Sequence, residues 1–218
     1  MVDLKLLEHL ESYLTNRRQQ RFLEVVSQRT KHLTVAIEDV YQKHNTSAVL
    51  RSCDIFGIQE VHIIEAENDL QIDREIALGA QKWVDLYHYP SADTCIDNLR
   101  NKGYRIIATT PHETEHKLED FDISEPACIF LGRETEGLSE VIFDRADSHL
   151  NIPMYGFTES LNISVSAAII LQHLTSKLRK SEIAWQLTEE EQLEKRIDWS
   201  KKTIKSINSV LEHYYAHN

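Results

Sequence analysis

The chain has 218 residues, 41% of them hydrophobic and 27% charged, which gives room for one globular domain with appendages and excludes both wholesale disorder and a large multidomain machine. A net charge of −11 disfavours phosphate contact over the whole surface, yet the acidity is local: residues 1–52 carry +2, residues 53–176 carry −14 and residues 177–218 carry +1. Cys53, Cys95 and Cys128 are far apart and odd in number, which excludes a disulfide framework or a cysteine zinc site; with no signal-peptide pattern at the start, a cytoplasmic protein without a metal is expected.

In chain order, Leu4 to about Gln28 places apolar residues at Leu6, Leu7, Leu10, Tyr13 and Leu14, then at Phe22, Val25 and Val26, predicting one or two amphipathic helices. Leu33–Val40 reads as a strand, and residues 45–56 as a helix with Asn45 as its N-cap and Gly57 as its stop. Short strands follow at Val61–Ile64 and Val84–Tyr89, then a helix from Ala92 to Lys102 closed by Gly103. Tyr104–Thr110 is β-rich and ended by Pro111, and Ala127–Leu131 leads straight into Gly132. Leu138–Ala146 is helical, His149–Pro153 is the last strand, and a long helix from Ser160 to about Lys180 can be capped by Ser160 or Asn162. That run holds Asn162, Gln172 and His173 and reads as a buried helix, so no membrane partner is expected. One charged helix closes the chain, from about Thr188 to Tyr215.

Strands alternating with helices predict an α/β fold with a mostly parallel sheet covered by helices on both faces. The expected divisions are a helical extension over 1–30, an α/β domain over 31–178 and a second helical extension over 179–218. Ligands of such sheets bind at the carboxyl ends of the strands, which points to the loops after Thr110, Leu131 and Pro153.

Two common nucleotide loops are absent. No G-x-G-x-x-G occurs, and Gly132-Arg-Glu-Thr-Glu-Gly137-Leu138-Ser139 has Leu138 where a P-loop needs lysine. Three segments stand out instead: Asn45-Thr-Ser-Ala-Val-Leu-Arg51, Leu131-Gly-Arg-Glu-Thr-Glu-Gly-Leu-Ser139, and Ile152-Pro-Met-Tyr-Gly-Phe-Thr-Glu-Ser-Leu-Asn-Ile-Ser-Val-Ser-Ala-Ala168. Taken alone, the first is a helix cap with an exposed arginine, the second equally a strand-to-helix turn or a site, and the third a tightly packed core or dimer helix. Arg17, Arg18, Arg21, Arg29 and Lys31 cluster near one end, and Lys195, Arg196, Lys201, Lys202 and Lys205 near the other. On composition alone, solvated helix faces account for these clusters better than an RNA footprint does.

In this order and spacing the three segments resemble the signature motifs of the SpoU (TrmH-type) family of RNA ribose 2′-O-methyltransferases, over about residues 30–176. The resemblance implies an α/β domain with a C-terminal trefoil knot (SPOUT type), a homodimer, and S-adenosyl-L-methionine as methyl donor. Val35–Arg51 is most similar to members that methylate the ribose of guanosine 18 in the D-loop of tRNA, and the short N-terminal segment speaks against a ribosomal target. Two alternatives stay open: 2′-O-methylation of ribosomal RNA or another tRNA ribose, and a non-catalytic RNA-binding protein of the same fold.

The resemblance places Arg51 at the 2′-hydroxyl, with Asn45 helping to position it, and makes Glu134, Ser160 and Asn162 the polar groups that shape the catalytic pocket. It builds the cofactor pocket from main-chain groups at Thr109, Gly132, Ile152 and Leu161. With tRNA as substrate, Arg17, Arg18, Arg21, Lys201 and Lys202 become its phosphate contacts. Methyl transfer to a hydroxyl needs two reactants in line and one proton removed, with no metal or thiol. Within the family the arginine is proposed as the base, but a guanidinium stays protonated and is better suited to holding phosphate or a developing alkoxide.

Overall fold

The computed structural model describes residues 2–39, 43–65, 74–112, 116–133 and 136–217. They form two compact units: a helical one from Met1–Arg29 with Gln186–Asn218, and an α/β one from Thr30–Trp185.

The helical unit opens with α1 (Leu4–Ser12) and α2 (Asn16–Val26). Each starts where a side chain satisfies a free amide: Asp3 Oδ1 accepts from Leu6 N at 2.9 Å, and Thr15 Oγ1 from Arg18 N at 3.3 Å. Both helices bury one apolar stripe, Leu6, Leu7 and Leu10 on α1 and Phe22 and Val26 on α2.

The α/β unit runs β1 (Leu33–Glu38), α3 (Lys43–Phe56), β2 (Glu60–Ile64), the short α4 (Arg74–Ala77), β3 (Asp85–Tyr89), α5 (Ala92–Asn101), β4 (Arg105–Thr109), β5 (His116–Lys117), β6 (Ala127–Leu131), α6 (Glu140–Arg145), β7 (Ser148–Asn151) and α7 (Ile163–Arg179). The strands form one sheet in the order β3-β2-β1-β6-β4-β7-β5, with every pair parallel. The period of two along a strand separates the core into two layers. Leu33, Val35 and Ile37 of β1 and Ala127, Ile129 and Leu131 of β6 pack with α3 and α7, whereas Ala36, Cys128 and Phe130 pack with α5 and α6. Both faces are therefore covered, as a parallel sheet requires. Gly57 ends α3 with φ 84°, a conformation costly for any residue with a Cβ.

The helical unit is completed by α8 (Glu189–Thr203) and α9 (Ile207–His217). The terminal segments meet through Leu6, Leu10, Val210 and Tyr214 in one core, the Arg196 guanidinium on both oxygens of Glu11 at 2.9 and 2.7 Å, and Phe22 edge-on to Trp199.

Two expectations change and one alternative is decided. α3 begins at Lys43, so Asn45 sits in its first turn and is no N-cap. Of the two candidate caps of α7, Asn162 is the one used. The single C-terminal helix is two, because Ile204 turns extended (φ −75°, ψ 118°) and packs on the α1/α9 core, letting α9 lay Val210 and Tyr214 on that core.

Candidate functional site

A cleft of about 380 Å³ opens at the carboxyl ends of β4, β6 and β7. Three loop segments wall it, Thr109–His112 after β4, residues 131–133 and 136–138 after β6, and the chain from Leu150 to Leu161 that leads from β7 towards α7, with Phe143 of α6 and Ile163, Ser166 and Ile170 of α7 closing the lining. Thr109, Gly132, Ile152 and Leu161, the four expected cofactor residues, all line it, as does Ser160.

Hydrogen bonds to the backbone hold the walls in place. Thr109 Oγ1 donates to Phe130 O at 2.8 Å and Thr110 N to Leu150 O at 3.0 Å, so the end of β4 is tied to both neighbours. Arg133 N donates to Gly137 O at 2.9 Å and Gly137 N returns to Arg133 O at 3.1 Å, closing the middle turn on itself. This closure is why residue 132 is glycine: a Cβ there would lie 2.3 Å from Gly137 C and 2.4 Å from Leu138 N.

Glu38 and Asp39, at the end of β1, fasten that turn from below. Glu38 Oε2 accepts from Ser139 N at 2.8 Å, and Asp39 Oδ2 pairs with the Arg133 guanidinium at 3.2 Å, which also reaches Glu136 Oε2 at 2.6 Å. Both acids are buried, and Asp39 sits at φ 42°. The sequence reading missed them, although two carboxylates ending a buried apolar strand are a legible signal, since charges so placed need partners.

One polar residue from each of the first and third motifs meets the other beside the cleft, Asn162 lying in the chain between the lining residues Leu161 and Ile163. Asn162 Oδ1 accepts from Ser164 N at 2.9 Å as the α7 cap, while its Nδ2 donates to Asn45 Oδ1 at 3.1 Å, joining residues 117 positions apart. Asn45 is buried, so an amide, not a cap, is what position 45 supplies. Arg51 lies elsewhere: it is exposed on α3, outside the cleft wall, and its side chain makes no hydrogen bond or ion pair among the described residues. Glu134 lies outside the described residues.

Arg17, Arg18 and Arg21 are exposed together on α2 of the helical unit, Arg21 beside Glu24 at 3.3 Å. On α8, Lys202 is exposed but paired with Asp198 at 2.7 Å, and Lys201 is half-buried.

The cleft offers apolar walls at Leu131, Leu138, Ile152 and Leu161, main-chain donors and acceptors along the turns, and carboxylates at Glu136 and Glu159. This matches the needs of S-adenosylmethionine, an adenine to be gripped flat and a cationic sulfonium and ammonium to be balanced, in a volume typical of small-molecule sites. Thiol chemistry has no place here: all three cysteines are buried, and burial pushes the Cys95 thiol up to about 12 and Cys128 upward as well. Among the described residues no cluster suits a metal ion, and no helix is long and apolar enough to cross a membrane.

Comparison with known proteins agrees with this geometry. A Borreliella burgdorferi protein named tRNA (guanosine(18)-2′-O)-methyltransferase is 37% identical over 207 residues, 95% of each chain. The crystal structure of the Aquifex aeolicus TrmH/SpoU tRNA modifying enzyme superposes with a TM-score of 0.78 at 31% identity, covering 87% of this chain and 98% of that one. The SpoU methyltransferase AviRb from Streptomyces viridochromogenes, in complex with the cofactor AdoMet, shares the fold with a TM-score of 0.64 at 22% identity, over 73% of this chain and 65% of that one. Residues 32–172 match the SpoU rRNA methylase family, and the chain belongs to it.

Proposed function

We propose that this protein transfers a methyl group from S-adenosylmethionine to the ribose 2′-hydroxyl of guanosine 18 in tRNA. The observation that carries the reading is a cleft suited to the donor with, beside it, the Asn162–Asn45 pair, Asn162 lying in the chain between the lining residues Leu161 and Ile163, where a sugar hydroxyl can be held. Similarity to the Borreliella enzyme over nearly the whole of both chains supports the guanosine-18 target.

In this reading the walls at Thr109, Gly132, Ile152 and Leu161 hold the donor, which supplies an electrophilic methyl on its sulfonium. Asn45, Ser160 and Asn162 orient the ribose, with Glu134 completing the polar set. Arg51 holds the phosphate of the target nucleotide or the oxygen from which the proton leaves, a role a permanent cation fills well. Holding both reactants in line is the main source of acceleration for a displacement of this kind.

The assignment extends to a homodimer with a trefoil-knotted C-terminal half. Supporting the dimer, Leu161, Val165 and Ile169 repeat every four residues at 38%, 45% and 38% exposure on and just before α7, and Ile55 is 64% exposed on α3, which packs beside α7. Arg51 shares that outward side of α3, one turn before Ile55. The α2 arginines, with Lys201 and Lys202, supply the phosphate contacts that the acidic body lacks.

The decisive experiment incubates purified protein with labelled S-adenosylmethionine and unmodified tRNA, then maps the methylated nucleotide. Methyl incorporation on the ribose of position 18 is expected. Incorporation elsewhere, or none, overturns the assignment.

A further inference from the structure

We propose that Tyr155 and Phe157 form an aromatic platform on which the base of the target nucleotide stacks. The inference rests on the methyltransferase reading above and deepens it by naming what holds the base.

Met154 and Glu159 both belong to the cleft wall, so residues 155–158 leave the wall and return to it as a short protruding loop. Two large aromatic side chains stand on it in water, Tyr155 at 94% and Phe157 at 108% exposure. An aromatic ring is among the largest apolar surfaces a chain can bury, and two left bare on the single chain within three residues mark a surface suited to contact. These rings differ from the α7 stripe. Leu161, Val165 and Ile169 lie partly covered along a helix face, whereas Tyr155 and Phe157 project beyond the wall.

Charge and position favour a nucleobase as the contacting group. The loop carries no cation, and its one ionisable neighbour is the carboxylate of Glu159, so phosphate is disfavoured and a neutral π-face is not. Two residues past Ser160, Asn162 joins Asn45 where the ribose is held, and a base is one glycosidic bond from its ribose. Reaching a ribose within folded RNA means unstacking its base, and aromatic side chains are the usual replacement for the lost stack. Every base has a π-face, so the platform supplies affinity and placement; guanine identity is read by other groups.

The test uses the full-length protein. A photoreactive 8-azidoguanosine is placed at position 18 of tRNA, cross-linked on the enzyme, and the attached peptide sequenced by mass spectrometry. In parallel, the double variant Tyr155→Leu/Phe157→Leu keeps the loop apolar but removes its π-faces, and Phe157→Trp restores one. Cross-links on the peptide bearing Tyr155 and Phe157 are expected. The double leucine variant should raise KM for tRNA on the order of tenfold to a hundredfold, far more than it lowers kcat, with donor affinity by calorimetry and sedimentation behaviour unchanged; the tryptophan variant should stay near wild type. Cross-links elsewhere, an unchanged KM, or a change of oligomeric state in the leucine variant would each refute the platform, the last by assigning the rings to a second copy of the chain. Absence of any methylation by wild type would refute the underlying reading instead, and is recognised separately because the variants are then never compared.

Discussion

Gly132→Ala isolates the role of the middle turn. The backbone at residue 132 has an ordinary φ, so alanine suffers no conformational strain there, and the whole effect comes from space. Carbon atoms in contact sit about 3.5–4.0 Å apart, whereas the new methyl would lie 2.3 Å from a backbone carbon and 2.5 Å from the Gly137 oxygen. None of these atoms belongs to a flexible side chain, so the turn must move by more than ~1 Å, which breaks the paired Arg133–Gly137 hydrogen bonds. Two such bonds are worth about 2 kcal/mol together, and loosening the buried Asp39 partner of Arg133 adds about 1 kcal/mol. A loss of about 3 kcal/mol corresponds to a fall of about 6–12 °C in melting temperature. Because the displaced turn is a wall of the cleft, S-adenosylmethionine should bind at least ~10-fold more weakly by calorimetry. Gly137→Ala is the control: its φ of 73° would strain alanine by about 1–2 kcal/mol, but a Cβ there meets nothing within 4 Å. If Gly132→Ala melts and binds donor like wild type, or is milder than Gly137→Ala, the packing account is wrong.

Arg51→Ala should abolish methylation, yet change stability by less than ~0.5 kcal/mol and leave donor affinity intact, since the side chain is exposed and outside the cleft; melting, calorimetry and turnover check the three parts. Asn162→Asp keeps the cap on Ser164 but removes the donor that reaches Asn45, so turnover should fall well beyond any loss of melting temperature, and equal losses would make the pair merely structural. Replacing Arg17, Arg18 and Arg21 together by alanine should weaken tRNA binding and flatten the dependence of log K on log salt by up to about 2–3; an unaltered slope returns them to solvated surface. Far from the cleft, burial and then the Lys102 cation push His62 down to about 3, while its ring lies between Tyr87, Tyr89 and the Glu60–Lys31 pair. A folded-state value below the usual 6.5 means stability present above that pH and lost progressively as pH falls towards 3, by roughly 3–6 kcal/mol in total. His62→Asn keeps a donor towards Tyr89 and should flatten the acid limb of the stability profile; superimposable limbs would count against this.

Six of the seven strands were legible as short β-rich runs bounded by turn residues, and their parallel pairing followed from the helices between them; β5, two polar residues on the sheet edge, carries no such signal and was not expected. Burial on both faces explains why β6 shows no polar alternation, and why even the polar positions of β1, Thr34 and Glu38, are buried. The division of the last helix was not legible. No glycine or proline stands near Ile204, and the break exists only because α9 must lay Val210 and Tyr214 against Leu6 and Leu10, two hundred residues earlier in the chain. For the same reason the sequence offered no sign that the two termini share one unit: that pairing depends on complementary stripes, and each stripe alone is an ordinary amphipathic helix.

The cleft was foreseen through its motifs, and the structure supplies their physical reason. Gly132 is needed where two turns of backbone come within van der Waals contact, and Asn162 combines a cap with a bond to Asn45. What motif reading could not reach is the support beneath. Glu38 and Asp39 act on Ser139 and Arg133 from about a hundred positions away, so they belong to no contiguous signature, yet they fix the middle wall of the cleft. Asn45 shows the converse error. A polar residue near a helix start was read as satisfying its own helix, but α3 had already begun at Lys43, and the amide is spent on a partner across the fold. Local grammar assigns a polar side chain to its nearest backbone; at a site built from three separate loops, the side chain is held for the neighbour that folding brings to it.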